Sequence, residues 1–71
     1  MNEKEFVKEI GSKIGFYRGK CGLSQEKLAE MVGVERNTIT RYENGQREPQ
    51  LHVLVKIAKV FNVHITELLP E

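Results

Sequence analysis

The stretch LSQEKLAEMVGVERNTITRYENG, residues 23–45, holds two short helical signals separated by a glycine. Ser24 offers a hydroxyl to the free amides of a following helix, whose inner residues Leu28, Ala29 and Val32 recur at helical spacing until Gly33 stops it. A further helix opens at Glu35 or Arg36, runs to Asn44 and is closed by Gly45. The set Gln25, Ala29, Gly33 and Ile39 makes mechanical sense if these two helices cross steeply. Small Ala29 lets them approach, Gly33 takes the positive φ of a tight turn, and Ile39 plugs the second helix into the core beneath the crossing. After Val34 the second helix has only two large apolar side chains, Ile39 and Tyr42. With Arg36 as origin, the helical period puts Thr40 at about 40°, Asn44 at about 80°, Asn37 at about 100° and Arg41 at about 140°. One face therefore gathers forked donors and amides, while Ile39 and Tyr42 point the other way.

Working outward, Phe6, Val7, Ile10, Ile14, Tyr17 and Cys21 share an arc of about 100°, the apolar stripe of an amphipathic first helix that ends near Gly22. Gly11, Gly15 and Gly19 recur along it, each costing about 1 kcal/mol relative to alanine in a helix. Either close approach by another backbone or a partner, or exposed positions that tolerate glycine, would account for them. Phe16 projects outside the stripe and either covers the N-terminal segment or meets another molecule. On the C-terminal side, Pro49 suits a first helical turn and opens a fourth helix with Leu51, Leu54, Val55, Ala58 and Phe61 as its inner face. Asn62 suits the left-handed C-terminal position. A last short helix, about Ile65–Leu69, brings Leu68 back to the core. No strand-like alternation, repeat or low-complexity tract interrupts this pattern, so residues 1–71 read as one compact all-α domain of five helices.

Composition bounds the function. Seventy-one residues with 39% apolar content allow a single modest core, which holds together without metal or disulfides only if its elements pack economically. Cys21 is the only cysteine, and the opening MNEKEFVKEI has neither an export signal nor a spanning segment, which predicts a soluble, reducing, cytoplasmic setting. Eleven Lys and Arg against ten Asp and Glu leave a net charge of +1. Residues 11–47 nevertheless hold seven basic side chains, Lys13, Arg18, Lys20, Lys27, Arg36, Arg41 and Arg47, against four acidic ones, while each flank comes to −1. A mildly basic middle is masked by acidic ends. His52 and His64 have no ligand partner three to five residues away, and with Cys21 they fall short of the four ligands zinc requires. No Ser/His/Asp grouping, phosphate-binding glycine loop or carboxylate pair supports catalysis, so neither enzyme activity nor a cofactor is expected.

The residues that make the crossing and the polar face also carry a likeness. LSQEKLAEMVGVERNTITRYENGQREP, residues 23–49, resembles the helix-turn-helix of the Cro and phage-repressor family, also called XRE-like. LHVLVKIAKVFNVHITELL, residues 51–69, resembles that family's fourth and fifth helices, so the likeness covers about residues 10–69. It implies a five-helix repressor-like domain, with helices two and three as the helix-turn-helix, that binds double-stranded DNA sequence-specifically and regulates transcription. A major groove admits such a helix, and its base edges match the exposed groups: an Arg fork fits guanine O6 and N7, and an Asn amide fits adenine N6 and N7. The resemblance implies base contacts at Arg36, Asn37 and Arg41, with Glu35, Thr38 and Thr40 as secondary candidates.

It further implies phosphate contacts from the start of helix two and the loop after helix three, here Gln25, Asn44, Gln46 and Arg47; Arg47 has the alternative of being merely solvated. Arg18 and Glu43 stand where the resembling proteins often pair an arginine with a glutamate, a pair that locks the recognition helix and can also hold the guanidinium near a phosphate. His64 occupies a helix-start position where the family often has Ser or Asp, which weakens the cap. The family often forms homodimers through its fifth helix, placing Ile65, Glu67 and Leu69 at the contact, with Val53 and Val60 adding spare apolar surface on helix four; half-sites would form an inverted repeat. The rival readings are an antitoxin or restriction-modification controller using the same surface, and a protein-interaction bundle without DNA binding.

Overall fold

A computed structural model describes residues 1–71 and contains no strand. The elements are α1 (Glu3–Lys20), α2 (Gln25–Val32), α3 (Arg36–Glu43), α4 (Leu51–Phe61) and a 3-10 turn (Ile65–Leu68). The expected fifth helix is thus a single 3-10 turn. Pro70 explains it, because the residue before a proline is pushed out of the α region, and Leu69 is indeed extended, at φ −96° and ψ 148°. Four residues remain, the length at which 3-10 geometry is ordinarily used. The Lys13 ammonium donates to the Leu69 carbonyl at 2.6 Å and ties this end of the chain back to α1.

Local chemistry sets the other boundaries. The Asn2 side chain accepts from the Glu5 amide at 2.8 Å to start α1, and the Ser24 hydroxyl accepts from the Lys27 amide at 3.0 Å to start α2. Gly33 ends α2 in the left-handed conformation at φ 78°, and Asn62 ends α4 likewise at φ 58°. Pro49 is not part of the fourth helix: Gln50 is the N-cap, and Pro49 is buried just ahead of it.

The core consists of Ile10 and Ile14 from α1, Leu28, Ala29 and Val32 from α2, Ile39 and Tyr42 from α3, Val53, Leu54, Ile57, Ala58 and Phe61 from α4, and Leu68 from the 3-10 turn. The α1 stripe is shorter than its spacing suggests, since Tyr17 is only partly buried and Phe6 and Cys21 are exposed. The inner face of α4 is turned by roughly 70° from the expected one. Leu51 is exposed and Val55 half-buried, whereas Val53 and Ile57 are buried. Val53 therefore belongs to the core and is not spare surface for a partner. Eight of the eleven residues of α4 are apolar, so apolar spacing leaves the helix phase open. Its polar residues settle it: His52, Lys56 and Lys59 cluster on one side, and the buried face lies opposite them.

The three glycines of α1 turn out to be unlike one another. Gly11 is buried, and a Cβ there would collide with the Tyr42 carbonyl oxygen at the end of α3. Close backbone approach, rather than tolerance at an exposed position, explains it. At Gly15 a Cβ would touch the Glu43 carboxylate at an ordinary 3.5 Å, and at Gly19 it would meet nothing within 4 Å. Alanine should therefore have opposite effects at the two ends of the series. Gly11→Ala gains about 1 kcal/mol of helix propensity but forces two backbones apart, and overpacking of this kind costs about 1–3 kcal/mol or more. Denaturant melts should show Gly11→Ala destabilised and Gly19→Ala stabilised by up to about 1 kcal/mol; equal effects at the two positions would contradict the close-approach explanation.

Candidate nucleic-acid interface

The exposed face of α3 is held from behind by apolar anchors and from one end by a polar clamp. Ile39 is fully buried and Tyr42 nearly so, which fixes the rotation of the helix about its axis. At the C-terminal end, the Arg18 Nε donates to Glu43 Oε2 at 2.7 Å and Nη2 donates to Oε1 at 3.1 Å. The third guanidinium nitrogen, Nη1, donates to the Leu23 carbonyl at 2.8 Å. Arg18 thereby joins α1, the α1–α2 connection and the end of α3 through one planar group, a geometry that a lysine could not reproduce. The hydrogen bond to Glu43 and its charge raise the Arg18 pKa, outweighing burial, so the group stays cationic.

The clamp extends to α2. Gln25 Nε2 donates to Glu43 Oε1 at 3.0 Å, and Gln25 Oε1 accepts from the Thr40 hydroxyl, also at 3.0 Å. A bidentate pair with side chains only 22% and 11% exposed holds position far better than an exposed surface pair, whose typical worth is about 0–1 kcal/mol. The exposed Lys27–Glu30 pair, at 3.5 Å on the outside of α2, is of that weaker kind.

Against this frame, Arg36, Asn37 and Arg41 are exposed on one face of α3, with Asn44 exposed just beyond its end. Glu35 is the N-cap residue and is exposed, but its side chain makes no capping bond; Thr38 and Thr40 are half-buried. Gln46 and Arg47 are exposed on the α3–α4 connection. Gln25 and Arg18 are placed differently from simple phosphate contacts, because both spend hydrogen-bonding groups on Glu43 inside the chain. The tie from Gln25 to Thr40 carries no sequence signal, since it joins residues fifteen apart whose meeting depends on the angle between α2 and α3.

On α4 and in and after the 3-10 turn, Val60, Ile65 and Leu69 are partly buried against the core and Glu67 is exposed. Phe16 is exposed, with Tyr17 edge-on at 5.2 Å and the Lys20 ammonium 5.4 Å from its ring centre, so it does not fold over the N-terminal segment. His52, His64 and Cys21 are each exposed. No helix is long and apolar enough to cross a membrane.

Comparison with known proteins matches this geometry. The family model described as Helix-turn-helix, HTH_3, matches residues 14–68. An uncharacterized HTH-type transcriptional regulator from Archaeoglobus fulgidus is 46% identical over 57 residues, covering 80% of this chain and 81% of its own. The cryptic phage CTXphi transcriptional repressor RstR from Vibrio cholerae is 40% identical over 62 residues, 87% of this chain and 56% of its own. Among solved structures, the restriction-modification controller protein C.AhdI from Aeromonas hydrophila superposes with a TM-score of 0.88 at 29% identity, covering 96% of this chain and 99% of that one. The chain belongs to the helix-turn-helix family HTH_3, the family of these transcriptional regulators.

Proposed function

We propose that this protein is a transcriptional regulator that binds double-stranded DNA sequence-specifically, with α3 in the major groove. The observation that carries this reading is the exposed row Arg36, Asn37 and Arg41 on a helix whose opposite side is buried through Ile39 and Tyr42. Arg36 and Arg41 supply forks for guanine, Asn37 supplies an amide for adenine, and Glu35, Thr38 and Thr40 border the same surface. Thr40 takes part with a hydroxyl already committed to Gln25, so it acts by fixing the helix and by its methyl group. Asn44, Gln46 and Arg47 grip phosphates, while Gln25 and Arg18 act mainly by orienting α3.

One α3 reads only a few base pairs, so two copies are needed for an operator of useful length. Val60, Ile65, Glu67 and Leu69 form the contact of a symmetric homodimer, placing the two reading helices on an inverted repeat with half-sites about one helical turn apart. The likeness to C.AhdI over nearly the whole of both chains favours a restriction-modification controller as a second reading, with the same DNA surface acting on different genes.

Three outcomes test this. Duplex binding should weaken steeply with salt, with log K against log salt sloping by roughly −0.9 for each phosphate neutralised and about four to six contacts per protomer; a flat response sinks the electrostatic part. Arg41→Ala should cost roughly 1–3 kcal/mol on the preferred site and relax the preference at one base position, whereas Gln46→Ala should weaken preferred and scrambled duplexes by similar factors. Full retention of sequence preference by a folded Arg41→Ala variant would remove this residue from base readout. Sedimentation should detect a dimer on the selected DNA, and a monomer both free and bound would exclude the proposed contact.

A further inference from the structure

Phe16 stands on the side of α1 that faces away from the core. The helical period sets it about 160° from buried Ile14 and about 140° from Gly11, where α1 meets α3. Its ring is 59% exposed. It is nonetheless held in place, since Tyr17 lies edge-on at 5.2 Å and itself stacks on buried Phe61, with ring centres 6.1 Å apart. Glu9, Ser12, Gly19 and Lys20 are all exposed and fall within about 60° of Phe16 around the helix. The Lys20 ammonium is 5.4 Å from the ring centre, whereas Lys13, at the edge of this face, is drawn away to the Leu69 carbonyl. Nothing within the chain requires glycine at position 19, where a Cβ would meet open space. The face therefore carries one fixed aromatic ring. Small Ser12 and Gly19 lie to one side of it, and to the other lie an acid and a base, Glu9 and Lys20, about three helical turns apart.

We propose that this outer face of α1 pairs with the same face of a second copy of the chain, the two helices running antiparallel. A two-fold contact has to complement itself, and this face does so. With the two-fold axis midway between Ile14 and Gly15, Glu9 of each copy lies level with Lys20 of the other, at both ends of the contact. In the middle, each Phe16 ring comes within about 1.5 Å, along the helix axis, of the level of the other copy's Ser12. A large side chain then fills the space beside a small one, which suits the approach of two helices to about 8–10 Å. Parallel helices would instead set Glu9 against Glu9 and Lys20 against Lys20, and like charges across a contact are disfavoured. A partner of a single charge sign would be repelled at one end, so the face fits a second copy better than an acidic or a basic surface. The ring, already held by Tyr17, loses little freedom on association. This contact turns away from the exposed row of α3. It rests neither on the DNA reading nor on the pairing through Ile65 and Leu69.

One helix face is smaller than a stable interface, so the association is weak and is read by sedimentation equilibrium at low salt, up to about 1 mM protein. Glu9→Lys, Lys20→Glu and Phe16→Ala all change exposed side chains, and thermal melting checks that each variant is folded. The parent should show a reversible association step that each variant weakens roughly tenfold. An equimolar mixture of Glu9→Lys and Lys20→Glu should recover the step, because one copy then carries lysines at both ends of the contact and the other glutamates. The step is monomer to dimer if α1 provides the only contact, and dimer to tetramer if the pairing through Ile65 and Leu69 also forms, so the two proposals fail separately. Recovery in the mixture identifies the occupant as a second copy in antiparallel order. Single variants that lose the step without recovery in the mixture overturn the antiparallel pairing. Parent-like sedimentation of all three variants, or a parent with no association step, overturns the surface itself.

Discussion

An eight-residue helix is too short to hold itself together in water, and α3 has a sequence that would not help it. Six of its eight residues, Arg36, Asn37, Thr38, Thr40, Arg41 and Glu43, are polar or charged and turned from the deepest part of the core or only half-buried. Its existence as a helix therefore depends on what lies behind it. Ile39 and Tyr42 supply the apolar anchor, and Gly11 lets the α1 backbone close on the Tyr42 carbonyl. Rigidity at the exposed face is borrowed from burial at the hidden one, so the residues proposed to read bases can remain polar.

The polar clamp complements this arrangement by fixing direction. Burial is non-directional, and two buried side chains on a short helix leave room for tilt. Arg18 meets Glu43 through two donors and the Leu23 carbonyl through a third, and Gln25 links Glu43 to Thr40. The result is a continuous chain of hydrogen bonds from α1 through the end of α3 to α2. A displacement of α3 would break several of these at once in a partly desolvated site, where a lost partner is costly. The clamp also gives Arg18 and Gln25 a structural task, since each hydrogen-bonds Glu43 within the chain. In the proposed function, phosphate contact falls to the exposed connection after α3.

The family relationship and the geometry constrain function in different ways. Membership in the helix-turn-helix family rests on a match across most of the chain. The roles of individual residues rest on placement, since a fold hosts many functions and only its sites decide among them. In this chain the placement concentrates exposed arginines and amides on α3 and its following connection, and packs the partly buried apolar residues Val60, Ile65 and Leu69 against the core.

Much of this was legible in the linear sequence, where the governing physics is local. Ser24, Gly33 and Asn62 mark helix ends through their own side chains or their own φ preferences. The opposition of Ile39 and Tyr42 to Arg36, Asn37 and Arg41 follows from the helical period alone. What escaped the sequence depends on neighbours far along the chain. Eight apolar residues in α4 left its phase open until the core took Val53 and Ile57 and released Leu51. Gly11, Gly15 and Gly19 are equivalent in sequence, and only the approach of the α3 backbone separates the one that must be glycine from the other two. A side chain's preference for a conformation is encoded where it stands, whereas its partners are decided only when separate helices converge.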